Sequence, residues 1–384
     1  MQRRVGIMGG GQLARMMVQA AIGPDIGIEV LAAPGDTAAP AVVPAVMWGE
    51  PQLEALRELA RDVDVITFDH EGVDPTLVAS LVAEGLTVWP GATTLACAVD
   101  KLVQRRTLQA AGLPVPVFAE VHDADGVEGF AAEHGWPVAL KTPTGGYDGR
   151  GVWLATDLDG AAEPLALGRA LLIEEGLDLS AELAVVLARR PGGETVVYPL
   201  LETVQRDGIC QQVRVPAGVD PELAEQARDV ARALAEAVEA VGILAVELFL
   251  TTDGRLLVNE IAARPHNSGH LSIEACETSQ FENHLRAVLD LPLGPTELRR
   301  PAAVMANILA ADETTDPHRR LADALEVGPV HVHLYGKAPR RGRKIGHVTA
   351  LADTVPVAAD LAVRAASVLG SPGGDDELSS VPQR

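Results

Sequence analysis

The chain has 384 residues, of which 47% are hydrophobic, so it can bury more than one core and falls outside the disordered class. Its formal charge of −22 argues against broad nucleic-acid binding and requires any anion site to be built as a local basic pocket. No apolar run approaches the roughly 18 residues of a membrane span, and three widely spaced cysteines (Cys97, Cys210, Cys276) fit reduced thiols in a cytoplasmic protein.

Residues Arg4 to Met8 (RVGIM) predict a short strand that ends at Gly9-Gly10-Gly11. The glycines break the apolar stretch at once, so it reads as a first strand and not as a signal peptide. A helix follows from Gln12, with Leu13, Met16, Met17 and Ala20 on one side. Further strands are predicted at 28–32, 63–68 and 86–89, with helices at 53–60 and 75–84 between them. This alternation predicts a small α/β domain with a parallel sheet over about residues 1–95. Gly9, Gly11 and Ala14 form GxGxxA, a turn whose N–H groups can face an anion. With Glu29 near the end of the second strand, an NAD site, a substrate-phosphate site and a bare structural turn all stay open.

The next expected elements are a helix at 96–111 carrying Lys101, a Gly/Pro-marked exit at 111–118 and a strand at 136–142 carrying Lys141. The loop TGGYDGRG (144–151) leads into a strand at 152–155, and strands follow at 171–175 and 180–189. The Asp207-Gly208 turn predicts a hairpin within 195–215. A helix is expected at 221–241 with Pro at its start, then strands at 243–250 and 255–261 around TTDG, then a helix at 280–289. From 301 onward, strands at 304–309 and 331–334, a basic turn and a helix at 358–369 suggest a small α+β appendage, and SPGGDDELSSVPQR reads as a frayed tail.

Four features carry chemistry. The glycine-rich loop can lay backbone N–H groups along phosphates, with Lys141 on the entering strand; a tight structural hairpin is the plainer reading. Only four of the 31 basic residues are lysine, namely Lys101, Lys141, Lys337 and Lys344. Glu247 and Glu260 interrupt apolar strands, where a lone carboxylate is costly, so each needs a cation or a salt-bridge partner such as Arg255 or Arg264. Two such carboxylates beside a phosphate site favour Mg²⁺, while zinc is disfavoured because no HxxxH falls on a clear helix and no cysteine is nearby. Arg264-Pro265-His266-Asn267-Ser268-Gly269-His270 and Lys337-Ala338-Pro339-Arg340-Arg341-Gly342-Arg343-Lys344 add two anion-binding edges, the second also readable as a solvated basic turn.

Taken together, GGGQLARM (9–16), KTPTGGYDGRG (141–151), the EEG and SAE segments (174–182), VELF (246–249), VNEIAARPHNSGH (258–270) and GKAPRRGRKIGH (336–347) resemble the N5-carboxyaminoimidazole ribonucleotide synthase family of ATP-grasp enzymes. The resemblance spans about residues 4–370. It implies a fold of α/β and α+β parts: a Rossmann-like pre-ATP-grasp domain at 1–98, an ATP-grasp domain at 99–300 with a lid subdomain at about 120–178, a small C-terminal domain at 301–372, and a flexible tail at 373–384. It implies ATP with Mg²⁺ or Mn²⁺, bicarbonate and 5-aminoimidazole ribonucleotide (AIR) as substrates, and a cytoplasmic homodimer of purine biosynthesis without nucleic-acid or membrane partners.

Residue by residue, the resemblance places Lys101 and Lys141 on the ATP phosphates, with Lys141 also near adenine, Gly145 and Gly146 in the lid, and Asn259 beside the nucleotide. Glu174, Glu175 and Leu177 would form the adenine hinge, Glu182 would hold the ribose hydroxyls, and Glu247 and Glu260 would hold the metal. Tyr147, Asp148, Arg150, Arg264, His266 and Asn267 would meet bicarbonate and AIR. Lys337 and Arg343, helped by Gly11 backbone and Gln12, would hold the ribonucleotide phosphate, with Glu71 at its ribose. The TFDHEGV segment departs from the commoner family form, which has Glu at the place of Asp69 and Asn at that of Gly72. The implied chemistry activates bicarbonate as carboxyphosphate under a closed lid. A formate-dependent glycinamide ribonucleotide transformylase-like ligase, an NAD(P)-dependent oxidoreductase and a non-catalytic nucleotide-binding subunit are the rival readings.

Overall fold

Alternating strands and amphipathic helices at the N-terminus assemble as expected into a four-stranded parallel sheet. In the computed structural model, which describes residues 2–146 and 151–372, its order is Ala45–Trp48, Gly27–Ala32, Arg4–Met8, Val65–Phe68. The two inner strands are buried along most of their length, as helices on both faces require. Two expectations are corrected here. The edge strand Ala45–Trp48 was not anticipated, since AVMW follows a Pro-containing stretch and stays partly exposed. Residues 86–89 form no strand: Val88 makes a single bridge to Ile66, and Pro90, which has no N–H, ends the pairing.

The helix expected at 96–111 is two helices, Ala92–Val99 and Lys101–Ala110. Asp100 between them is extended, and its carboxylate caps the second by accepting from Leu102 N at 2.8 Å and Val103 N at 3.0 Å. The break puts Lys101 on the first residue of a helix, where its N–H donates to Pro143 O at 2.8 Å and reaches the glycine loop.

A small antiparallel sheet follows, ordered Phe118–Val121, Leu171–Glu175, Val138–Lys141, Val152–Ala155. The glycine loop connects its last two strands. Below it runs a nine-stranded sheet ordered Leu256–Ala262, Gly242–Thr251, Leu179–Arg189, Leu201–Arg206, Ile209–Val215, Ala302–Leu309, Lys344–Ala352, Val330–Leu334, with Thr195–Val197 joined to the Leu179–Arg189 strand. The helix Pro221–Ala237 covers one face and packs Ala227, Ala231 and Leu234 against Leu183, Val185 and Leu244. It stops short of 241 because Glu239 takes a left-handed φ of 55°.

The small C-terminal part continues the nine-stranded sheet. Its strand Ala302–Leu309 pairs antiparallel with Ile209–Val215, from Gln212 opposite Ala306 to Val215 opposite Ala303. The strand Lys344–Ala352 was not anticipated, only its first residue falling in the expected basic turn. Residues 345–350 are all buried, so the alternation that marks a half-exposed strand is absent. The last helix, Val355–Gly370, covers this end of the sheet.

Candidate active site

The glycine turn after the first strand is already filled by the chain's own carboxylates. Asp69 Oδ2 accepts from Gly11 N at 2.5 Å, and Asp36 Oδ2 accepts from Gly10 N at 3.0 Å. Gly9 has φ 104°, and a Cβ there would lie 1.9 Å from Asp69 Oδ1. The glycines thus admit Asp69, and the Gly11 N–H is withdrawn from the expected phosphate contact. A dinucleotide pyrophosphate would meet two carboxylates here, and Glu29 pairs with Arg4 at 3.7 Å, so the NAD reading loses both supports. Burial raises the Asp69 carboxyl above its ordinary range.

Gln12, one residue on, faces the C-terminal part and accepts a hydrogen bond from Lys337 Nζ. Lys337 also lies 5.7 Å above the Tyr335 ring, and Thr37 Oγ1 donates to Gly336 O at 3.0 Å. The basic turn therefore closes onto the N-terminal domain. Burial, with Arg343 adding repulsion, lowers Lys337 to about 8. Arg343 folds back on the turn and donates to Ala338 O at 2.9 Å.

Between the small antiparallel sheet and the nine-stranded sheet the acids and lysines meet. Glu247 lies opposite Glu260 across neighbouring strands, and a bulge follows Glu247. The bulge lets consecutive residues Asn259 and Glu260 leave the core, while Val258 and Ile261 on either side stay buried. Lys101 Nζ contacts Glu260 Oε1 at 3.0 Å, and Lys141 Nζ donates to Asn259 Oδ1 at 3.4 Å. Glu182 joins from the third strand: Ala184 pairs with Glu247, and two residues along a strand return to the same face. Burial, then Glu260 and Glu182, push Glu247 up to about 7. Its side chain keeps 29% exposure, so solvent in the cleft screens part of that repulsion.

Mutually repelling carboxylates of this kind suit a hard divalent cation. Among the described residues no three His, Cys, Asp or Glu side chains converge as a metal cage. A cation held by Glu247 and Glu260 would complete its shell with phosphate oxygens and water, the usual Mg²⁺ arrangement.

Lys141 shares its carboxylate partner, Glu174, with a residue the sequence reading missed. Arg105, with 1% side-chain exposure, donates to Glu174 Oε1 at 2.5 Å and to Asn259 O at 2.7 Å, while Lys141 Nζ contacts Glu174 Oε2 at 2.5 Å. Burial alone would raise the Glu174 carboxyl, but Arg105 and Lys141 outweigh it and hold it below its ordinary range. Two buried cations share one carboxylate, so positive charge is left over for a phosphate. The signal for Arg105 was its spacing: Leu102, Arg105 and Leu108 recur at i, i+3, i+6 on the buried face of their helix.

Glu175 Oε1 accepts from Val117 N at 3.0 Å and from Arg255 at 2.9 Å. The side chains of Glu174 and Glu175 are thus engaged in ion pairs, and Leu177 beside them is half-buried. Gly145 has φ 79° with open space where a Cβ would stand, and Gly146 follows it. Tyr147, Asp148 and Arg150 lie outside the described residues.

Arg264 Nε and Nη2 contact Glu71 Oε2 at 2.9 and 2.8 Å, and Glu71 Oε1 is buried without a partner. Glu71 thus holds Arg264 and keeps one oxygen in hand. His266 Nε2 stands 3.6 Å from Glu247 Oε1. Its Nδ1 accepts from Ser268 N at 3.3 Å, so the ring hydrogen belongs on Nε2. Burial, with Arg264 nearby, lowers His266 to about 3, which keeps it neutral. Asn267 points elsewhere. Its amide exchanges two 2.9 Å bonds with Asn307 and ties the loop to the central sheet.

A cleft between a lid sheet and a larger sheet, lined by paired lysines and opposed glutamates, defines the chain as an ATP-grasp protein. Residues 106–281 match the model of the ATP-grasp domain, 1–99 that of the ribonucleotide synthetase preATP-grasp domain, and 303–360 that of the phosphoribosylaminoimidazole carboxylase C-terminal domain. Over 360 residues the chain is 48% identical to the N5-carboxyaminoimidazole ribonucleotide synthase of Mycobacterium bovis, spanning 91% of this chain and 84% of that one. It resembles the Aspergillus clavatus carboxyaminoimidazole ribonucleotide synthase solved with ATP (TM-score 0.87, 33% identity, 96% of this chain and 98% of that one). The same values hold for the Aspergillus clavatus enzyme solved with ADP and 5-aminoimidazole ribonucleotide. The chain belongs to the N5-carboxyaminoimidazole ribonucleotide synthase family.

Proposed function

We propose that this chain catalyses the ATP-dependent carboxylation of AIR with bicarbonate to N5-carboxyaminoimidazole ribonucleotide, releasing ADP and phosphate, a step of purine biosynthesis. The observation that carries this reading is the pairing of Lys101 with Glu260 and of Lys141 with Glu174 in one cleft, beside Arg264 and His266. The first group is suited to ATP phosphates and the second to small anions and the acceptor amine.

In this reading, residues 1–98 and 301–372 grip the ribonucleotide, with Lys337, Arg343 and Gln12 at its phosphate and Glu71 Oε1 at its ribose. Residues 99–300 hold ATP: Lys101, Lys141 and Asn259 at the phosphates, Glu182 at the ribose, and the 174–177 backbone at the base. Mg²⁺ or Mn²⁺ on Glu247 and Glu260 would offset charge on the phosphates. Lys101 and Lys141 orient the γ-phosphoryl group for attack by a bicarbonate oxygen, whose new P–O bond forms as the bond to ADP breaks. The AIR amine then attacks the carboxyl carbon of carboxyphosphate; phosphate leaves with the electron pair of the broken C–O bond, and the amine proton goes to a neighbouring base. Arg264 holds the anion, and the glycine loop from Gly145, with Tyr147, Asp148 and Arg150, excludes water that would hydrolyse the intermediate. The neutral His266 directs its Nε2–H toward Glu247 and holds that side of the cleft.

We further propose a cytoplasmic homodimer. No helix among the described residues is long and apolar enough to cross a membrane. The test is ADP formation with AIR, with and without bicarbonate, and with formate in its place. Turnover that requires both AIR and bicarbonate supports the assignment, and formate-dependent turnover would move it to the transformylase-like ligases.

A further inference from the structure

The Arg264–His270 loop presents Arg264 and His266 to the cleft, yet its own helical content is only the single turn Asn267–Gly269. What fixes it lies behind it. Gln280, the first residue of the helix Gln280–Val288, is fully buried. Its Oε1 accepts from His266 N at 3.0 Å, and its Nε2 donates to His266 O at 2.7 Å. A backbone N–H can only donate and a carbonyl can only accept, so these two bonds fix which way the amide points. The second Nε2 hydrogen then goes to His270 Nδ1, 3.1 Å away. His270 is therefore neutral, with its hydrogen on Nε2.

The clamp is itself braced. Gln280 N donates to Ser272 Oγ at 2.9 Å, and that hydroxyl donates to Gly269 O at 2.6 Å. Gly269 has to be glycine, since a Cβ there would stand 2.3 Å from Gln280 Oε1. One side chain thus holds both polar backbone groups of His266 from the rear, while the imidazole faces Glu247 on the cleft side.

We propose that Gln280 is a positioning residue for the carboxylation: through His266 N and O it sets the direction of the His266 Nε2–H and steadies the neighbouring Arg264 fork. It touches no substrate. The inference rests on the reading above that Arg264 and His266 serve the bicarbonate and AIR side of the cleft. A small displacement of a group held this way is enough to lower turnover strongly without weakening nucleotide binding.

The experiment compares wild type, Gln280→Met, His266→Asn and the double variant in steady-state ADP formation with AIR and bicarbonate. Met keeps the volume of Gln and removes the clamp. The expected result is a kcat for Q280M lowered about 10- to 100-fold with KM for ATP unchanged, and a clearly smaller loss, that transmitted through Arg264, when Q280M is added to H266N. Wild-type kcat in Q280M, or an equal loss from Q280M in both backgrounds, overturns the proposal. Wild-type kcat in H266N removes the underlying reading of the loop, and the proposal with it. Should Q280M fail to fold, Gln280→Glu replaces it. A neutral carboxyl can both accept from His266 N and donate to His266 O, whereas an ionised one cannot donate. The kcat of Q280E relative to wild type should therefore fall as pH rises, and a ratio of one at every pH overturns the proposal.

Discussion

Replacing His284 with Gln should flatten the acid side of the stability curve by one proton. His284 is fully buried between the N-terminal and ATP-grasp parts. Ile243 N donates to its Nδ1 at 3.0 Å, so the ring carries its hydrogen on Nε2 and donates it to Thr67 Oγ1 at 2.8 Å. A second proton would need Nδ1, which already faces an N–H. Burial accordingly lowers the group from 6.5 to about 3. The unfolded chain takes up this proton first. The neutral ring's contribution is therefore complete above about pH 6.5 and is lost as pH falls toward the folded value, at about 1.4 kcal/mol per unit. From pH 6.5 down to about 4.5 that amounts to roughly 2–3 kcal/mol. Gln can accept from Ile243 N and donate to Thr67 Oγ1 without titrating, while His270 and His347, also lowered by burial, are common to both proteins. Urea unfolding at several pH values should show the wild-type curve steeper than that of H284Q by about 1.4 kcal/mol per unit. Parallel curves would refute the tautomer assignment and the account of this contact.

Arg105→Met leaves Glu174 buried against Lys141 alone, and urea unfolding should show a loss of about 3–5 kcal/mol; a shift under about 1 kcal/mol would mean that Lys141 suffices. Affinity for AIR should decline as pH rises through about 8, where Lys337 loses its proton. Lys337→Ala should weaken AIR binding and remove this pH dependence, as read from KM for AIR against pH, and an unchanged profile would take Lys337 off the phosphate. Glu260→Gln should keep its thermal unfolding midpoint while Mg²⁺-supported turnover falls at least about a hundredfold, and wild-type turnover would exclude a metal role for this carboxylate.

The chemistry-bearing strands were legible because each interrupts an apolar run with one charge. Glu247 and Glu260 reveal themselves that way, as does Lys141 at the edge of a glycine loop. The long helix Pro221–Ala237 was legible from its period and its proline, although Glu239 in the left-handed region ends it sooner than the apolar pattern does. What stayed hidden depends on contacts distant in sequence. Nothing local says that Gly11 N–H is taken by Asp69, 58 residues on, or that Asn267 turns away to Asn307. The strand Lys344–Ala352 is buried on both faces and so shows no alternation. Arg105 and Gln280 have helical surroundings rich in polar residues, and only their periodicity points them inward. The continuous sheet through Ile209–Val215 and Ala302–Leu309 is likewise a pairing between segments about ninety residues apart.

Transfer of an oxygen atom from bicarbonate to phosphate tests the central claim most directly. With all three bicarbonate oxygens isotopically labelled, and with ATP and AIR present, mass spectrometry of the released phosphate should find one labelled oxygen per turnover. In the proposed reaction that oxygen attacks the γ-phosphoryl group, held between Lys101, Lys141 and the two glutamates. Phosphate released free of label during AIR carboxylation would contradict the account.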